Sequence, residues 1–172
     1  VLDVEIRNPQ GTKVPEGETG EIYISSPTLV RGYWNKPEAT ADSFLDGWFR
    51  TGDIGRIEGE LLYIEDRAKD MIIRGGENVY CAEVESAIFD FPGVIDCAVF
   101  GLSHERLGEE VAAALVIKGD TFPTAEDLEI FLEGKLAKYK IPTKFAFLRE
   151  PLPRNAAGKL MKRNYPVLFF SR

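Results

Sequence analysis

The sequence predicts an α+β fold in two parts, a β-rich first third and a longer segment that mixes helices and strands. Short apolar runs of period 2, separated by turn formers, dominate the first third. After Arg67 the apolar residues alternate between strand-like runs and helical spacing. A chain of 172 residues is long enough for one domain or two small ones. We therefore expect a β-rich part over residues 1–67 and an α+β part over residues 68–172.

The first part contains four strand-like runs and one helical segment. The runs lie at residues 4–7, 21–25, 48–50 and 61–64. Stretches dense in Gly, Pro and other turn formers separate the first two runs. A short helix is predicted over residues 37–45, because Pro37 suits a first helical turn and Gly47 suits a stop.

The second part is predicted to run β, α, β, β, α, β. Its predicted strands cover residues 71–74, 94–102, 111–118 and 144–148. The first predicted helix covers residues 82–89 and has acids in its first turn, where the helix dipole favours them. The second begins at an approximate capping box at Thr124, keeps one apolar face as far as Leu136 and is closed by Pro142.

Composition argues against several classes of protein. The chain has 28 Asp+Glu against 21 Lys+Arg and a net charge of -7, which disfavours binding to nucleic acid. Its apolar runs fall far below the roughly 20 residues that span a bilayer. Two cysteines are too few for a disulfide framework, and no secretory leader opens the chain. We therefore expect a cytoplasmic protein without a membrane span.

Positive charge is concentrated late in the chain. Residues 135–163 carry nine basic side chains and one acid, whereas residues 1–134 carry eleven basic and 27 acidic side chains. Such a segment indicates either a site for a small anionic ligand, with a local steering field, or a solvated basic helix face.

Two of four candidate segments lie before residue 71. In Thr51-Gly52-Asp53 the glycine allows a sharp turn, and the carboxylate can accept hydrogen bonds from two vicinal hydroxyls. Residues 66–70 carry four charges in five positions. The alternatives are a plain Asx turn for the first segment and an exposed linker for the second.

The other two candidate segments each contain glycine. Gly75 and Gly76 either let the backbone approach an extended ligand closely or form a simple hairpin turn. Residues 153–159 end in Gly-Lys and either deliver the mobile ammonium of Lys159 to a phosphate or carboxylate or form a basic turn. They are not a P-loop, because Leu160 stands where that motif needs Ser or Thr.

The histidine and the cysteines are predicted to be structural. His104 is the only histidine and has no cysteine near it, so we interpret it as a loop residue. Cys81 and Cys97 lie outside any metal-ligand spacing and are interpreted as small apolar fillers. No metal site is predicted.

Six motifs follow one another in a characteristic order. They lie at residues 17–22, 31–37, 47–53, 66–72, 75–78 and 153–159. This series, over residues 3 to about 163, resembles the C-terminal part of the adenylate-forming (AMP-binding) superfamily, and within it acyl-CoA synthetases of the fatty-acyl and aryl CoA ligase type. The resemblance implies that residues 1–67 are the incomplete, β-rich end of a large domain's distorted barrel. Residues 68–172 would be a small α+β C-terminal lid domain.

The family's reaction assigns roles to three charged residues. A carboxylate attacks ATP to give acyl-adenylate and pyrophosphate, and the thiol of CoA then displaces AMP. The resemblance implies that Asp53 is the ribose-binding acid and that Arg67 contacts the ribose and phosphate region of the nucleotide. Lys159 matches the catalytic lysine that bridges the carboxylate and the α-phosphate during adenylation. Relatives with this Gly-Lys pattern are regulated by acetylation, so a lysine acetyltransferase is an implied partner at Lys159.

The same resemblance assigns the moving parts. Lys69 occupies the hinge position about which the lid rotates between the half-reactions, and Gly75 and Gly76 match the loop that lines the pantetheine channel. ATP, CoA and Mg²⁺ are the implied cofactors and a carboxylic acid the implied substrate, with the magnesium ligands outside this chain. Because the family's phosphate loop and acyl pocket have no counterpart here, we expect a C-terminal fragment that is inactive alone.

Two alternatives stay open at this point. One is part of a peptide-synthetase adenylation module, which passes its product to a carrier-protein thiol. The other is a non-catalytic interaction module with the lid fold. The joint presence of Asp53, Arg67 and Lys159 argues against the second, because a purely structural role needs none of them.

Overall fold

The computed structural model describes residues 2–119, 122–156, 158–162 and Tyr165. The chain divides into two compact units, Val1–Lys69 and Asp70–Arg172. This division falls close to the boundary predicted at residue 67, although the separate action of the two parts as domains stays a prediction. Within the described ranges, no helix is both long and apolar enough to cross a membrane.

The first unit is an antiparallel sheet with one short helix. Its elements are β1 (Asp3–Arg7), β2 (Gly20–Ser25), α1 (Pro37–Ser43), β3 (Phe44–Leu45), β4 (Trp48–Glu58) and β5 (Leu61–Arg67). Strand β2 lies between β1 and β4, and β4 also pairs with β3 and β5. Helix α1 ends at Ser43 rather than at residue 45, because Phe44 and Leu45 pair with β4.

In its described residues, the second unit is a mixed sheet with two α-helices and a 3-10 helix. Its elements are β6 (Ile72–Arg74), β7 (Glu77–Val79), α2 (Cys81–Phe89), β8 (Val94–His104), β9 (Gly108–Ile117), α3 (Ala125–Leu132), a 3-10 helix (Lys138–Lys140) and β10 (Lys144–Leu148). Strand β9 pairs antiparallel with β8 and parallel with β10. The β6–β7 hairpin joins β9 through the pair Arg74 and Gly108. The α+β class predicted from the sequence is confirmed.

Helix α3 is shorter than predicted. Thr124 forms the capping box with Asp127, but the helix ends at Leu132 instead of continuing through Leu136. The chain turns at Gly134, whose φ of 84° suits glycine and not a helix interior. Leu136 still packs against the core from the loop. The helical spacing of Leu136 in the sequence therefore predicted its packing against the core correctly but the length of the helix wrongly.

The sheet of the second unit is covered on both faces. Alternate residues of β8 and β9 point to opposite sides, and helices α2 and α3 cover one of them with Val84, Ile88 and Leu128. The other side packs against Leu152 and Tyr165, which lie after β10 in the chain. The segment that contains Lys159 is thus attached to the face opposite the helices.

We expect Leu128→Ala to destabilise the second unit by about 2–5 kcal/mol of unfolding free energy, since Leu128 is fully buried between helix and sheet. Ile130 on the same helix is 61% exposed, so Ile130→Ala is the matched control and should change stability by less than about 0.5 kcal/mol. Urea denaturation of the 172-residue chain measures both variants. Equal losses would contradict the packing described here.

Candidate functional site

A bulge in strand β4 presents the Thr51-Gly52-Asp53 motif. Residues 51–53 lie opposite the single residue Ile22 of β2, which breaks the register of the ladder. Gly52 accommodates the bulge with a φ of 72°. The Thr51 hydroxyl donates to the Ile22 carbonyl at 2.9 Å and accepts from the Asp53 N–H at 3.0 Å. The predicted turn is therefore a bulge inside a strand that continues to residue 58.

Asp53 and Arg67 face each other across β4 and β5. They are cross-strand partners, and Arg67 Nε lies 2.9 Å from Asp53 Oδ1. The side chain of Asp53 is 27% exposed and that of Arg67 is 50% exposed. A carboxylate accepts several hydrogen bonds, so the contact with Arg67 leaves Asp53 capacity to accept others from solvent or a ligand. The structure thus brings together these two predicted site residues.

Lys69 lies in the turn that follows β5. Lys69 is exposed and is the last residue of the first unit. The ladder ends just before it, where the Ala68 N–H donates to the Gly52 carbonyl at 2.9 Å. The exposed position is consistent with either a linker or a hinge, and the hinge role stays a prediction.

Gly75 and Gly76 form the two-residue turn between β6 and β7. Both have positive φ, 62° and 90°, as a type I′ hairpin turn requires. The Gly75 N–H donates to the Leu107 carbonyl at 2.8 Å, which ties this turn to the β8–β9 connection. Apart from Gly76 and its two chain neighbours, no heavy atom of the described residues lies within 4 Å of the position that a Cβ on Gly76 would occupy. The turn therefore leaves open space at Gly76, next to a rigid backbone.

A cavity of about 490 Å³ begins at Arg74, the residue before this turn. It is lined by Arg74, Glu129, Glu133, Lys138, Tyr139, Ile141, Pro142 and Thr143. Arg74 Nη1 donates to the Tyr139 carbonyl at 3.1 Å. Arg74 Nε is buried and has no hydrogen-bond partner among the described residues. Sequence reasoning assigned no individual role to Arg74, which directly precedes the glycine pair, or to Lys138, which is one base of the late basic segment.

Lys159 lies on a tight hairpin in the second unit. Arg154 and Leu160 form an antiparallel bridge, and the Gly158 N–H donates to the Asn155 carbonyl at 2.9 Å. The Lys159 N–H donates to Asn155 Oδ1, also at 2.9 Å. Its side chain is exposed, and no carboxylate of the described residues lies within ion-pair distance of its ammonium. The backbone is fixed while the charge faces solvent.

Four other bases of the late basic segment are paired with acids. The pairs are Lys135 with Asp90, Lys140 with Glu83, Arg154 with Asp96 and Lys162 with Glu85. The hydrogen bond to the Asp96 carboxylate raises the pKa of Arg154 above its already high usual value. The alternative of a basic helix face does not apply to these four bases, because they lie on turns, 3-10 turns and loops. Lys159, in contrast, has no acidic partner among the residues that the structure describes.

His104 and the cysteines have structural environments. His104 is the last residue of β8, and its Nδ1 accepts from the backbone N–H groups of Arg106 and Leu107 at 3.2 Å each. Cys81 and Cys97 are buried, and burial raises the pKa of the Cys97 thiol to about 12. In the part of the chain that the structure describes, no group of three His, Cys, Asp or Glu side chains is placed to hold a metal ion.

Comparison with known proteins identifies the family. Residues 83–159 match the family model described as the AMP-binding enzyme C-terminal domain. This stretch runs from helix α2 to Lys159 itself. The chain therefore contains the C-terminal domain of the adenylate-forming (AMP-binding) enzyme family.

One curated relative is the long-chain-fatty-acid–CoA ligase FadD13 of Mycobacterium tuberculosis. It is 50% identical over 161 residues, which cover 93% of this chain and 31% of FadD13. The chain thus spans about a third of the length of the curated relatives it matches.

Two solved structures have the same fold over nearly the whole chain. The o-succinylbenzoate CoA synthetase MenE of Bacillus subtilis, in complex with its acyl-adenylate intermediate, has a TM-score of 0.86 and 38% identity, covering 95% of this chain and 33% of MenE. The amide bond synthetase McbA of Marinactinospora thermotolerans has a TM-score of 0.88 and 36% identity, covering 98% of this chain and 35% of McbA. MenE is also known in complex with ATP and a magnesium ion.

Proposed function

We propose that this chain is the C-terminal part of an AMP-forming acyl-CoA ligase. In the first half-reaction a carboxylate displaces pyrophosphate from ATP and forms an acyl-adenylate. In the second, the CoA thiol attacks the acyl carbon, and AMP leaves. The observation that carries the proposal is Lys159, an exposed ammonium that has no acidic partner among the described residues and lies in a domain that matches the AMP-binding family.

Lys159 has the properties that adenylation requires. The reaction brings two anions together and builds negative charge on the phosphorus in the transition state. An ammonium that contacts both the carboxylate and the α-phosphate offsets their repulsion and aligns them for in-line attack. A lysine already paired with an acid would supply little net charge, and Lys159 has no such partner among the described residues.

Asp53 and Arg67 are proposed to hold the nucleotide. The Asp53 carboxylate is fixed by Arg67 at one oxygen and is partly exposed, so it can accept hydrogen bonds from the two hydroxyls of a ribose. Arg67 is half exposed and can add a contact to the ribose or phosphate region. The rigid β-bulge that holds Asp53 reduces the entropy lost on binding.

Lys69, Gly75 and Gly76 are proposed to serve the second half-reaction. Lys69 lies in an exposed turn, where a few backbone dihedrals can absorb a reorientation of the lid. The open space at Gly76 suits the narrow pantetheine arm of CoA. The adjacent cavity contains the cations Arg74 and Lys138, which suit an anionic part of the same ligand, beside the acids Glu129 and Glu133.

The cofactors of the proposed enzyme are ATP, Mg²⁺ and CoA. Magnesium would supply charge neutralisation at the phosphates, and we propose that its ligands lie outside this chain, since the described residues place no cluster of acids to hold it. A cytoplasmic location and acetylation of Lys159 stay predictions.

The similarity to the amide bond synthetase McbA favours a second candidate function, in which an amine instead of CoA accepts the acyl group. An amine in place of the CoA thiol would use the same adenylation machinery and would not need a channel for pantetheine. Offering preformed acyl-adenylate to the full-length protein with CoA or with an amine distinguishes the two. Thioester formation supports the proposed ligase, and exclusive amide formation contradicts it.

We expect Asp53→Asn in the full-length protein to raise the KM for ATP about 10- to 100-fold. The change removes a charged hydrogen-bond acceptor, and such bonds contribute about 1.5–3 kcal/mol. It should leave stability nearly unchanged, because the pair with Arg67 is exposed at the surface.

The matched control is Asp3→Asn, which neutralises an exposed acid on the same sheet. Acid-dependent ATP–pyrophosphate exchange over a range of ATP concentrations measures both variants. If the KM for ATP is the same in Asp53→Asn and Asp3→Asn, the ribose-binding role of Asp53 is wrong.

A further inference from the structure

The guanidinium of Arg154 connects the sheet to the residue before Lys159. Its Nη2 donates to both carboxylate oxygens of Asp96, at 2.9 and 2.7 Å. Its Nη1 donates to the carbonyl of Gly158 at 3.1 Å. A planar guanidinium makes such contacts from a fixed fork, which a lysine ammonium does not reproduce.

Other contacts fix the base of the hairpin without reaching its tip. The Met161 N–H and the Tyr165 hydroxyl both donate to the Pro153 carbonyl, at 3.2 and 2.8 Å. Leu152 and Tyr165 are buried against the sheet. Near the tip, Gly158 and Lys159 form hydrogen bonds with Asn155, and Arg154 contacts Gly158. The Arg154 contact links the tip to strand β8 through Asp96.

We propose that Arg154 is a positioning residue for Lys159. The Asp96 carboxylate on β8 holds the Arg154 guanidinium, and the guanidinium holds the Gly158 carbonyl, so that the backbone which presents Lys159 keeps one direction. The catalytic consequence rests on the proposed role of Lys159, whereas the ordering of the hairpin does not depend on any function.

The effect of Arg154 should be local. The side chains of Arg154 and Asp96 are 42% and 22% exposed, and ion pairs with this exposure contribute little to global stability. A displacement of about 1 Å at a catalytic group, in contrast, can reduce a rate about 100-fold. Loss of Arg154 should therefore change adenylation without unfolding the protein.

The ordering is tested on the 172-residue chain itself by ¹⁵N relaxation. In the unmodified chain the Gly158 and Lys159 amides should have order parameters near 0.85, and in Arg154→Gln these should fall below about 0.6. Arg149→Gln is the matched control, because Arg149 also donates to a carbonyl, that of Gly119 on another loop. Unchanged order parameters at Lys159 in Arg154→Gln would overturn the proposal.

The catalytic consequence is tested by the two half-reactions of the full-length protein. Arg154→Gln should slow adenylation about 10- to 100-fold and leave thioester formation from preformed acyl-adenylate unchanged. Arg154→Lys should recover only a small part of the loss, since it keeps the charge without the fork. In a Lys159→Ala background, Arg154→Gln should have no further effect, because it acts through Lys159.

The outcomes separate this inference from the proposed function. Disorder at Lys159 with normal adenylation in Arg154→Gln would overturn the positioning role and leave the role of Lys159 intact. Additive losses in the double variant would overturn it too, because they place Arg154 outside the action of Lys159. A normal adenylation rate in Lys159→Ala would overturn the proposed function itself.

Discussion

Lys159→Ala in the full-length protein should slow adenylation by about 10²- to 10³-fold, which is the usual cost of removing one preorganised group that stabilises transition-state charge. The ammonium is exposed and has no ion-pair partner among the described residues, so its removal leaves no acid unpaired there. Thioester formation from preformed acyl-adenylate should continue at close to its normal rate. Measuring pyrophosphate exchange and CoA-dependent release of AMP separately gives the two rates.

Lys118→Ala is the matched control, because Lys118 is an exposed lysine of the same unit that lies after β9 and outside the hairpin. It should leave both half-reactions unchanged. Lys159→Gln removes the charge as acetylation would and should resemble Lys159→Ala. Equal slowing of both half-reactions by Lys159→Ala would assign the hairpin a general structural role instead.

The elements that the sequence predicted well are those with strong local patterns. Strand β9 is central to the second sheet, because β8, β10 and β6 all pair with it. The continuous hydrophobicity of β8 and β9 follows from burial on both faces. The capping residues at Thr124 predicted the start of α3 correctly. The predicted end of α3 was wrong, because the chain turns at Gly134 although the helical pattern of apolar residues continues to Leu136.

Other features depended on pairing between distant residues. Thr51-Gly52-Asp53 has the composition of a turn, yet β2 and β5 pair with β4 on either side and extend the strand through it. A hairpin turn at Gly75-Gly76 was one of the two interpretations of the sequence. Strand β7 after it was not predicted, because it is only three residues long and has no period-2 pattern. Local composition thus identified the residues of these turns but not the strand pairing around them.

The candidate site divides in the same way. Asp53, Arg67, Lys69, Gly75, Gly76 and Lys159 were found from motifs. Arg154 stood in one of these motifs without a role, because its partner Asp96 is 58 positions away in the sequence. Arg74 gains its cavity from residues near position 139, which again no local pattern reports. Motifs thus locate the groups that are proposed to contact substrate, whereas the supporting residues become visible only in three dimensions.

A bulky substitution in the β6–β7 turn should impair thioester formation, the half-reaction that Lys159→Ala is expected to leave intact. Gly76→Trp in the full-length protein should reduce thioester formation from preformed acyl-adenylate by at least about 100-fold, since an indole would fill the open space proposed for the pantetheine arm. Adenylation should proceed at close to its normal rate, because Lys159 and its hairpin are unchanged.

The backbone at Gly76 requires a control for strain. Its φ of 90° is unfavourable for any residue with a Cβ, so Gly76→Trp combines bulk with a conformational penalty of order 1 kcal/mol. Gly76→Ala has the same penalty without the bulk, and its methyl group would meet no heavy atom of the described residues within 4 Å other than those of its chain neighbours. Gly76→Ala should therefore keep most of the thioester rate. If alanine and tryptophan abolish that rate equally, the turn matters through its backbone conformation, and the channel assigned to Gly76 is wrong.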